Sequence, residues 1–244
     1  MVLWREALKP SVSIVMPVYR GARYIDKSID IVSRFMNRMG RPYEILVVDD
    51  GSDDNTREVA EMMARELDCV KVLGYERNRG KGYAFIYGAL RSKGDVVVLL
   101  DADLDIPPQQ VAILLKAIDR GADIAITNKW HRLSKTRASL LRKFMSRAFN
   151  LLVRFLLGLS FRDTQTGAKA FRREALLRII KNLYVKRYAF DVEVLYVAKK
   201  LGYMVVEVPS IASIRLKRPP TIGMVWRMML ELLSIFYRHR LLGS

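Results

Sequence analysis

Apolar residues come first in short unbroken runs along this chain and later in helical periods. Ser11 to Tyr19 (SVSIVMPVY) reads as a strand, and Arg23 to Met39 as a helix. The alternation then repeats. Strands are predicted at Tyr43 to Asp50 (YEILVVDD), VKVLGYE, DVVVLLDAD and DIAITNK. Between them, helices are predicted at Asp54 to Leu67, Lys81 to Ser92 and Pro107 to Arg120. Asp53, Asp54 and Asn55 are candidate caps of the second helix. Strands that are apolar throughout are buried on both faces. The alternation therefore predicts an α/β fold with a largely parallel sheet flanked by helices.

The second half changes rhythm. Ser134 to Leu159 is a long helical period, apolar at Leu140, Leu141, Phe144, Met145, Ala148, Phe149, Leu151, Leu152 and Phe155. AFDVEVLYVAKKLG predicts a further helix ended by Gly202, YMVVEVPS a strand, and Met224 to Arg240 a last helix. In that helix Arg227, Glu231, Ser234 and Arg238 recur at spacings of four, three and four. They form one narrow polar stripe on an otherwise apolar cylinder. The expected organisation is a main domain over 1–220, including the helix at about 134–159, and a C-terminal amphipathic helix over 221–244.

Composition adds bounds. With 244 residues and 51% hydrophobic content, the chain can bury a sizeable core. Its 42 Lys and Arg against 25 Asp and Glu give a net charge of +17, which favours anionic partners: nucleic acid, acidic lipid or phosphorylated substrates. Cys69 is the single cysteine, so an internal disulfide is excluded and a reducing setting is expected. The opening MVLWREALKP lacks the apolar segment of a secretion signal, so none is expected. No run reaches the roughly 18 apolar residues of a membrane-spanning helix. Arg154 interrupts FNLLVRFLLGLSF, and Arg227 and Glu231 interrupt MVWRMMLELLSIFY.

Two predicted strands end in acids: Asp49 and Asp50, then Asp101, Asp103 and Asp105. Parallel α/β sheets bind ligands beyond the carboxyl ends of their strands. Carboxylates clustered there repel one another and suit a hard divalent cation, which in turn neutralises a diphosphate. The plainer alternative, capping of the following turns, stands for Ser52, Asp53 and Asp54. No GxxxxGK[ST] phosphate loop, no GxGxxG after the first strand and no nucleophile elbow is present. His131 and His239 lack metal-ligand spacing. A haloacid-dehalogenase-type phosphatase also places DxD after an apolar strand. Its acids are expected on an early strand with a threonine soon after, whereas these sit on the fourth strand before Leu104. Nucleic-acid binding is suggested by net charge alone. It would need a basic face with interleaved aromatics rather than ordered acidic motifs, so no nucleic-acid partner is expected.

Taken in order, VSIVMPVY, EILVVDDGSDDNT and NRGKGYAFIYGALRSKGDVVVLLDADLDIPP resemble the family 2 glycosyltransferases of the GT-A fold. FRDTQTGAKAFRREAL, followed by VKRYAFDVEVLYVAKKLGYMVVEVP, is similar to the polyprenyl-phosphate hexose synthases, which include dolichyl-phosphate glucose and dolichyl-phosphate mannose synthases. The wording is closer to the glucose branch, and the resemblance spans roughly Val12 to Arg240. It implies an inverting transfer of a hexose from UDP-glucose or GDP-mannose to a polyprenyl or dolichyl phosphate. The location implied is the cytoplasmic face of a membrane, and the cofactor Mg²⁺ or Mn²⁺. A different acceptor within the same family is the alternative.

The resemblance also implies roles by position. Pro17, Val18 and Tyr19, with Asp49 and Asp50, would line the nucleotide pocket, and Lys81 would lie near the donor. Asp101 and Asp103 would hold the metal, with Asp105 at the position of a third ligand. Asp163 and Gln165 would face the donor sugar, and Arg215, with Lys217 or Arg218, would close over the diphosphate. Lys129, Arg142 and Ser146 would grip the lipid phosphate. Asp191 and Glu193 would orient acceptor or sugar, neither being assigned as a base. Three departures stand out. Arg20 and Gly21 follow Tyr19 where the family continues with Asn-Glu-Glu. TNKW places Lys129 where an arginine is common, and RLKRPPTIG replaces a Gly-x-Ser-Lys segment.

Charge then changes how the helices read. Seven Lys or Arg and no acid lie between His131 and Ser160, and six against one acid lie between Ile211 and Ser244. Apolar faces beside cations fit interfacial helices, so an anionic membrane surface is an expected partner. Core-facing helices with solvated charges are the alternative.

Overall fold

The apolar runs become the sheet. A computed structural model describes residues 10–134, 140–185, 187–211 and 222–241, without the side chains of 140–148, 222, 240 and 241. The first elements are β1 (Val12–Val18), α1 (Ile25–Met39), β2 (Tyr43–Asp49), α2 (Thr56–Glu66), β3 (Val70–Gly74) and α3 (Lys81–Ala89). Next come β4 (Val96–Leu100), α4 (Gln109–Asp119), β5 (Ile124–Asn128) and α5 (Leu140–Leu157). The chain continues through β6 (Ala168–Arg172), α6 (Arg173–Ile180), α7 (Phe190–Lys200), β7 (Val205–Pro209) and α8 (Ile222–Phe236), then a π-helical turn at Tyr237–Leu241.

The seven strands lie in the order β3-β2-β1-β4-β6-β5-β7. All neighbours are parallel except β6, which runs antiparallel to both β4 and β5. This strand and the first half of α6 lie in GAKAFRREAL, a stretch whose pattern predicts no element. A charged residue, Lys169, is the second of the strand's five residues and breaks its apolar pattern. The antiparallel register pairs Leu100 with Ala168, and the Asp101 N–H donates to the Gly167 carbonyl at 3.0 Å. The ladder thus draws the 160–167 loop alongside the acids that end β4.

Period-two alternation divides the core. Val12, Ile14 and Met16 of β1 pack with α1 and α4 on one face, while Val15 joins Leu46, Val48 and α3 on the other. In α1 the buried positions Ile25, Ile29, Val32 and Met36 recur at helical spacing. Helix α5 is shared between core and surface. Val153 and Leu157 are buried, whereas Leu151 and Phe155 are exposed.

Helix α8 corrects the reading of its polar stripe. Its inner face is Met228, Glu231, Leu232, Ile235 and then His239, so Glu231 turns inward. The Glu231 carboxylate accepts the Ala189 N–H at 2.7 Å, ahead of α7. Leu232 and Ile235 are fully buried, each worth about 1.5–3 kcal/mol. The outward face carries Trp226, Leu230, Leu233 and Tyr237 among its exposed side chains. Among the described residues, no helix is long and apolar enough to cross a membrane.

Candidate active site

A cavity of about 550 Å³ opens at the carboxyl ends of β1 and β4. Pro17, Val18 and Tyr19 form one wall with Tyr24. Asp50, Asn78, Gly80 and Lys81 form another, and Asp101, Ala102 and Asp103 a third. Arg187 and Tyr188, just before α7, and Met224 of α8 complete it.

Asp50 builds much of this site by organising its neighbours. Its carboxylate accepts from the Tyr75 hydroxyl (2.7 Å), the Asn78 amide (2.9 Å) and the backbone N–H groups of Arg79 (2.8 Å) and Gly80 (2.9 Å). Those bonds shape the loop that delivers Lys81 as the first residue of α3. Burial and the Asp50 charge push the Tyr75 hydroxyl well above the usual tyrosine range. Gly51, at φ +67°, lets the 77–78 backbone approach where a Cβ would lie 2.6 Å from the Arg77 carbonyl carbon. The departure after Tyr19 also has a structural reason. Arg20 grips Asp53 through Nε and Nη2 at 2.6 and 2.5 Å, and the Gly21 N–H donates to Thr56 Oγ1 at 2.8 Å. Asp54, the neighbour of the α2 cap Asn55, receives the Thr56 N–H at 3.2 Å.

Lys81 sits at a helix N-terminus, where a cation is disfavoured by the dipole. Asp101 compensates, with Oδ1 2.6 Å from the ammonium. Burial opposes the Lys81 charge. Asp101, Asp191 and Asp103 outweigh that and raise its pKa above the usual lysine range. A second pair lies beneath. Lys169 is almost fully buried and donates to Asp191 Oδ1 at 2.7 Å and to the Thr166 carbonyl at 2.8 Å. Burial pulls the Lys169 pKa below its usual range and Lys81 adds to the fall, with Asp191 opposing. Two lysines and two aspartates are therefore interlocked at the base of the site.

The remaining expected residues divide. Asp163 is buried and does not line the cavity; it accepts the Lys129 N–H at 3.1 Å, and the Lys129 ammonium lies 3.8 Å away. Burial raises the Asp163 pKa, with Lys129 opposing. Gln165 Nε2 donates to the Tyr188 carbonyl at 3.2 Å and contacts Met228 Sδ at 3.1 Å, tying the 160–167 loop to the cavity wall. Asp49 does not line the cavity. It ends β2 facing Gly74 and accepts the Ser52 N–H at 3.2 Å. Glu193 is also absent from the lining. It is fully buried, accepting the N–H groups of Tyr184 and Val185 at 3.0 and 2.7 Å and meeting His239 Nε2 at 2.9 Å. It thus anchors the end of the C-terminal helix rather than facing a ligand. Arg142 and Ser146 fall in α5, but their side chains lie outside the described residues, as do Arg215, Lys217 and Arg218.

The three aspartates expected to hold a metal are not gathered as a set. Among the described residues no group of three or more His, Cys, Asp or Glu is placed to share an ion. Asp101 and Asp103 line the cavity, whereas Asp105 does not, and its N–H donates to Asp103 Oδ1 at 3.1 Å. The left-handed turn at Leu104 (φ +52°) separates them. Two carboxylates still fit a hard cation that completes its shell with phosphate and water. The Lys81 ammonium on Asp101 shows that this carboxylate faces cationic company. The sequence reading missed Arg187, Tyr188, Met224 and Lys169. A basic-aromatic pair before a helix and a lysine inside an apolar strand were the available signals.

A mainly parallel sheet with one reversed strand, and DxD acids beside a cavity at its carboxyl edge, define a GT-A glycosyltransferase. The same fold is seen in glucosyl-3-phosphoglycerate synthase from Mycobacterium tuberculosis, solved with Mn²⁺, UDP-glucose and phosphoglyceric acid. The TM-score is 0.70 at 20% identity, over 95% of this chain and 79% of that one. Residues 13–180 match the family described as Glycosyl transferase family 2, and the chain belongs to that family. Dolichyl-phosphate beta-glucosyltransferase of Mus musculus is 33% identical over 221 residues, 84% of this chain and 68% of that one. Undecaprenyl-phosphate 4-deoxy-4-formamido-L-arabinose transferase of Serratia proteamaculans is 31% identical over 204 residues, 78% of this chain and 61% of that one.

Proposed function

We propose that this protein moves a hexose from a nucleotide diphosphate sugar to a polyprenyl phosphate at a membrane surface. The observation that carries the reading is the single cavity that joins the β1 end, Lys81, Asp101 and Asp103 beneath Met224 of α8. Helix α8 turns the large apolar side chains Trp226, Leu230 and Leu233 outward, and Tyr237 of the turn that follows continues that face. A water-soluble nucleotide site and an apolar surface thus meet on one helix. The relatives that act on dolichyl and undecaprenyl phosphates support the same acceptor class.

In this reading Pro17, Val18, Tyr19 and Asn78 hold the nucleotide. Asp101 and Asp103 would hold Mg²⁺ or Mn²⁺, whose positive charge stabilises a leaving diphosphate. Lys81 and Arg187 place further positive charge on the cavity wall. The acceptor is a phosphate monoester, largely dianionic at neutral pH by analogy with a second pKa of about 6. Its oxygen forms the new bond to the anomeric carbon as the bond to the diphosphate oxygen breaks, inverting that centre without a protein base. Lys129, Arg142, Ser146 and Arg215 remain proposed contacts for the two anions. Gln165 and Asp163 shape the sugar side through Tyr188 and Lys129. Asp191 acts through Lys169 and Lys81 to fix the base of the site.

The cytoplasmic face is the proposed location, since nucleotide sugars are the donors. The exposed side chains Leu151 and Phe155 of α5 extend the apolar surface. Half-burying these six residues at about 1 kcal/mol each would give about 6 kcal/mol of membrane attraction. The test supplies purified protein with UDP- and GDP-hexoses, Mg²⁺ or Mn²⁺, and polyprenyl phosphate in detergent. Sugar transferred to the organic phase from one donor is the expected result. No glycolipid from any donor, with folded protein, would move the acceptor to another class.

A further inference from the structure

A second cavity, of about 330 Å³, opens beside α5 and is lined by Trp130, Asn150, Leu151, Arg154 and Arg162. It shares no lining residue with the first. Its wall is built. The buried Asn150 amide donates to the Arg162 carbonyl at 3.1 Å, and its oxygen accepts the Thr164 hydroxyl at 3.1 Å. These bonds fix the 162–164 loop to the helix.

The two arginines are the unusual feature. Arg154 makes one long bond, Nε to the Phe161 carbonyl at 3.4 Å. The Arg162 backbone N–H donates to Glu207 at 2.9 Å, yet among the described residues neither guanidinium forms an ion pair. Like charges sharing one cavity repel unless an anion joins them, and arginine forks suit phosphate oxygens. The rim is apolar. Leu151 of the lining is 68% exposed, and Phe155, one helical turn further along α5 and outside the lining, is 81% exposed. An anion site with an apolar edge fits an anion that carries hydrocarbon.

We propose that this cavity binds the phosphate of an anionic membrane phospholipid, with its chains against Leu151 and Phe155. The inference rests on the membrane-surface part of the reading above and gives that surface a specific headgroup contact. It is separate from sugar transfer, because neither arginine lines the donor cavity.

The test compares wild type with the double variant Arg154→Gln/Arg162→Gln. Flotation is measured on phosphatidylcholine vesicles with and without phosphatidylglycerol, and sugar transfer on detergent-dispersed polyprenyl phosphate. Phosphatidylglycerol-dependent flotation is expected to weaken about tenfold to thirtyfold in the variant, with micellar transfer within about twofold of wild type. Equal flotation of both proteins, or no flotation of wild type, would overturn the proposal. So would lost micellar transfer with unchanged flotation, which would hand the arginines to the acceptor. A wild type that makes no glycolipid but floats in an arginine-dependent way would sink the proposed reaction and leave this inference standing. An independent measurement avoids the charge change altogether. In Trp4→Phe/Trp226→Phe protein only Trp130 remains. Bromine-labelled phosphatidylglycerol is expected to quench it, and inorganic phosphate alone to leave it unchanged. A response to inorganic phosphate with no quenching by the lipid would mean a free-anion site and overturn the assignment.

Discussion

Replacing Lys169 with methionine removes one ammonium from the interior while keeping most of its volume. In the wild type that ammonium serves Asp191 at 2.7 Å and the Thr166 carbonyl at 2.8 Å. Removing one partner of a buried pair costs about 3–5 kcal/mol, because the other charge stays buried. Asp191 also feels Lys81, which softens the loss and places the expectation at about 3 kcal/mol. For a chain of this size that is a fall of about 6–12 °C in melting temperature. The assay is thermal unfolding followed by circular dichroism, with sugar transfer measured at a temperature where both proteins are folded. The double variant Lys169→Met/Asp191→Leu removes both charges, and apolar replacement of a buried pair is often neutral or better. It is expected to recover most of the stability and none of the activity. A single variant melting within about 2 °C of wild type would refute the claim that the pair is a buried, coupled unit.

Further outcomes follow from the same geometry. A Cβ on Gly167 would lie 2.2 Å from Asp101 Oδ2, so Gly167→Ala is expected to displace that carboxylate and lower sugar transfer at least about tenfold. Full activity in Gly167→Ala would show that Asp101 is not held there. Asp163 has a raised pKa in the fold, so the native state binds its proton more readily than the unfolded chain. Its contribution to stability is present below the unfolded carboxylate pKa and is lost as pH rises through the native value. Urea unfolding across pH should therefore show wild type losing stability relative to Asp163→Asn as pH rises above about 4. A constant difference would contradict it. His239→Ala leaves Glu193 buried without its partner, and hydrogen exchange over 222–241 is expected to quicken before the sheet is affected. Unchanged exchange there would mean that α8 is held by Leu232, Ile235 and the Glu231 bond to Ala189 without help from His239.

The strands and helices of the first half were legible because their apolar runs obey one period each. The reversed strand β6 was not, since Lys169 interrupts its apolar pattern and its partner, Asp191, is 22 residues away in sequence. Asp101 and Asp103 could be found as acids ending a buried strand. Glu193 could not be separated from Asp191 by sequence. Both lie in the first turn of α7, yet one meets His239 and the other meets Lys169. Met224 reaches the cavity only through tertiary packing, for which local pattern has no signal, and the basic-aromatic pair Arg187 and Tyr188 stands out before α7 without showing which cavity it lines. Glu231 looked like part of a solvated stripe. Its inward turn depends on the Ala189 N–H, which only the packed fold supplies.

In the proposed reading, Asp101 and Asp103 bind a nucleotide diphosphate through a divalent cation. Calorimetric titration of UDP and GDP into the protein tests it most directly, with Mn²⁺, with EDTA, and in Asp103→Ala. Binding of one nucleotide that requires the cation and is lost in the variant is the expected result. Equal binding in EDTA and in Asp103→Ala would contradict it.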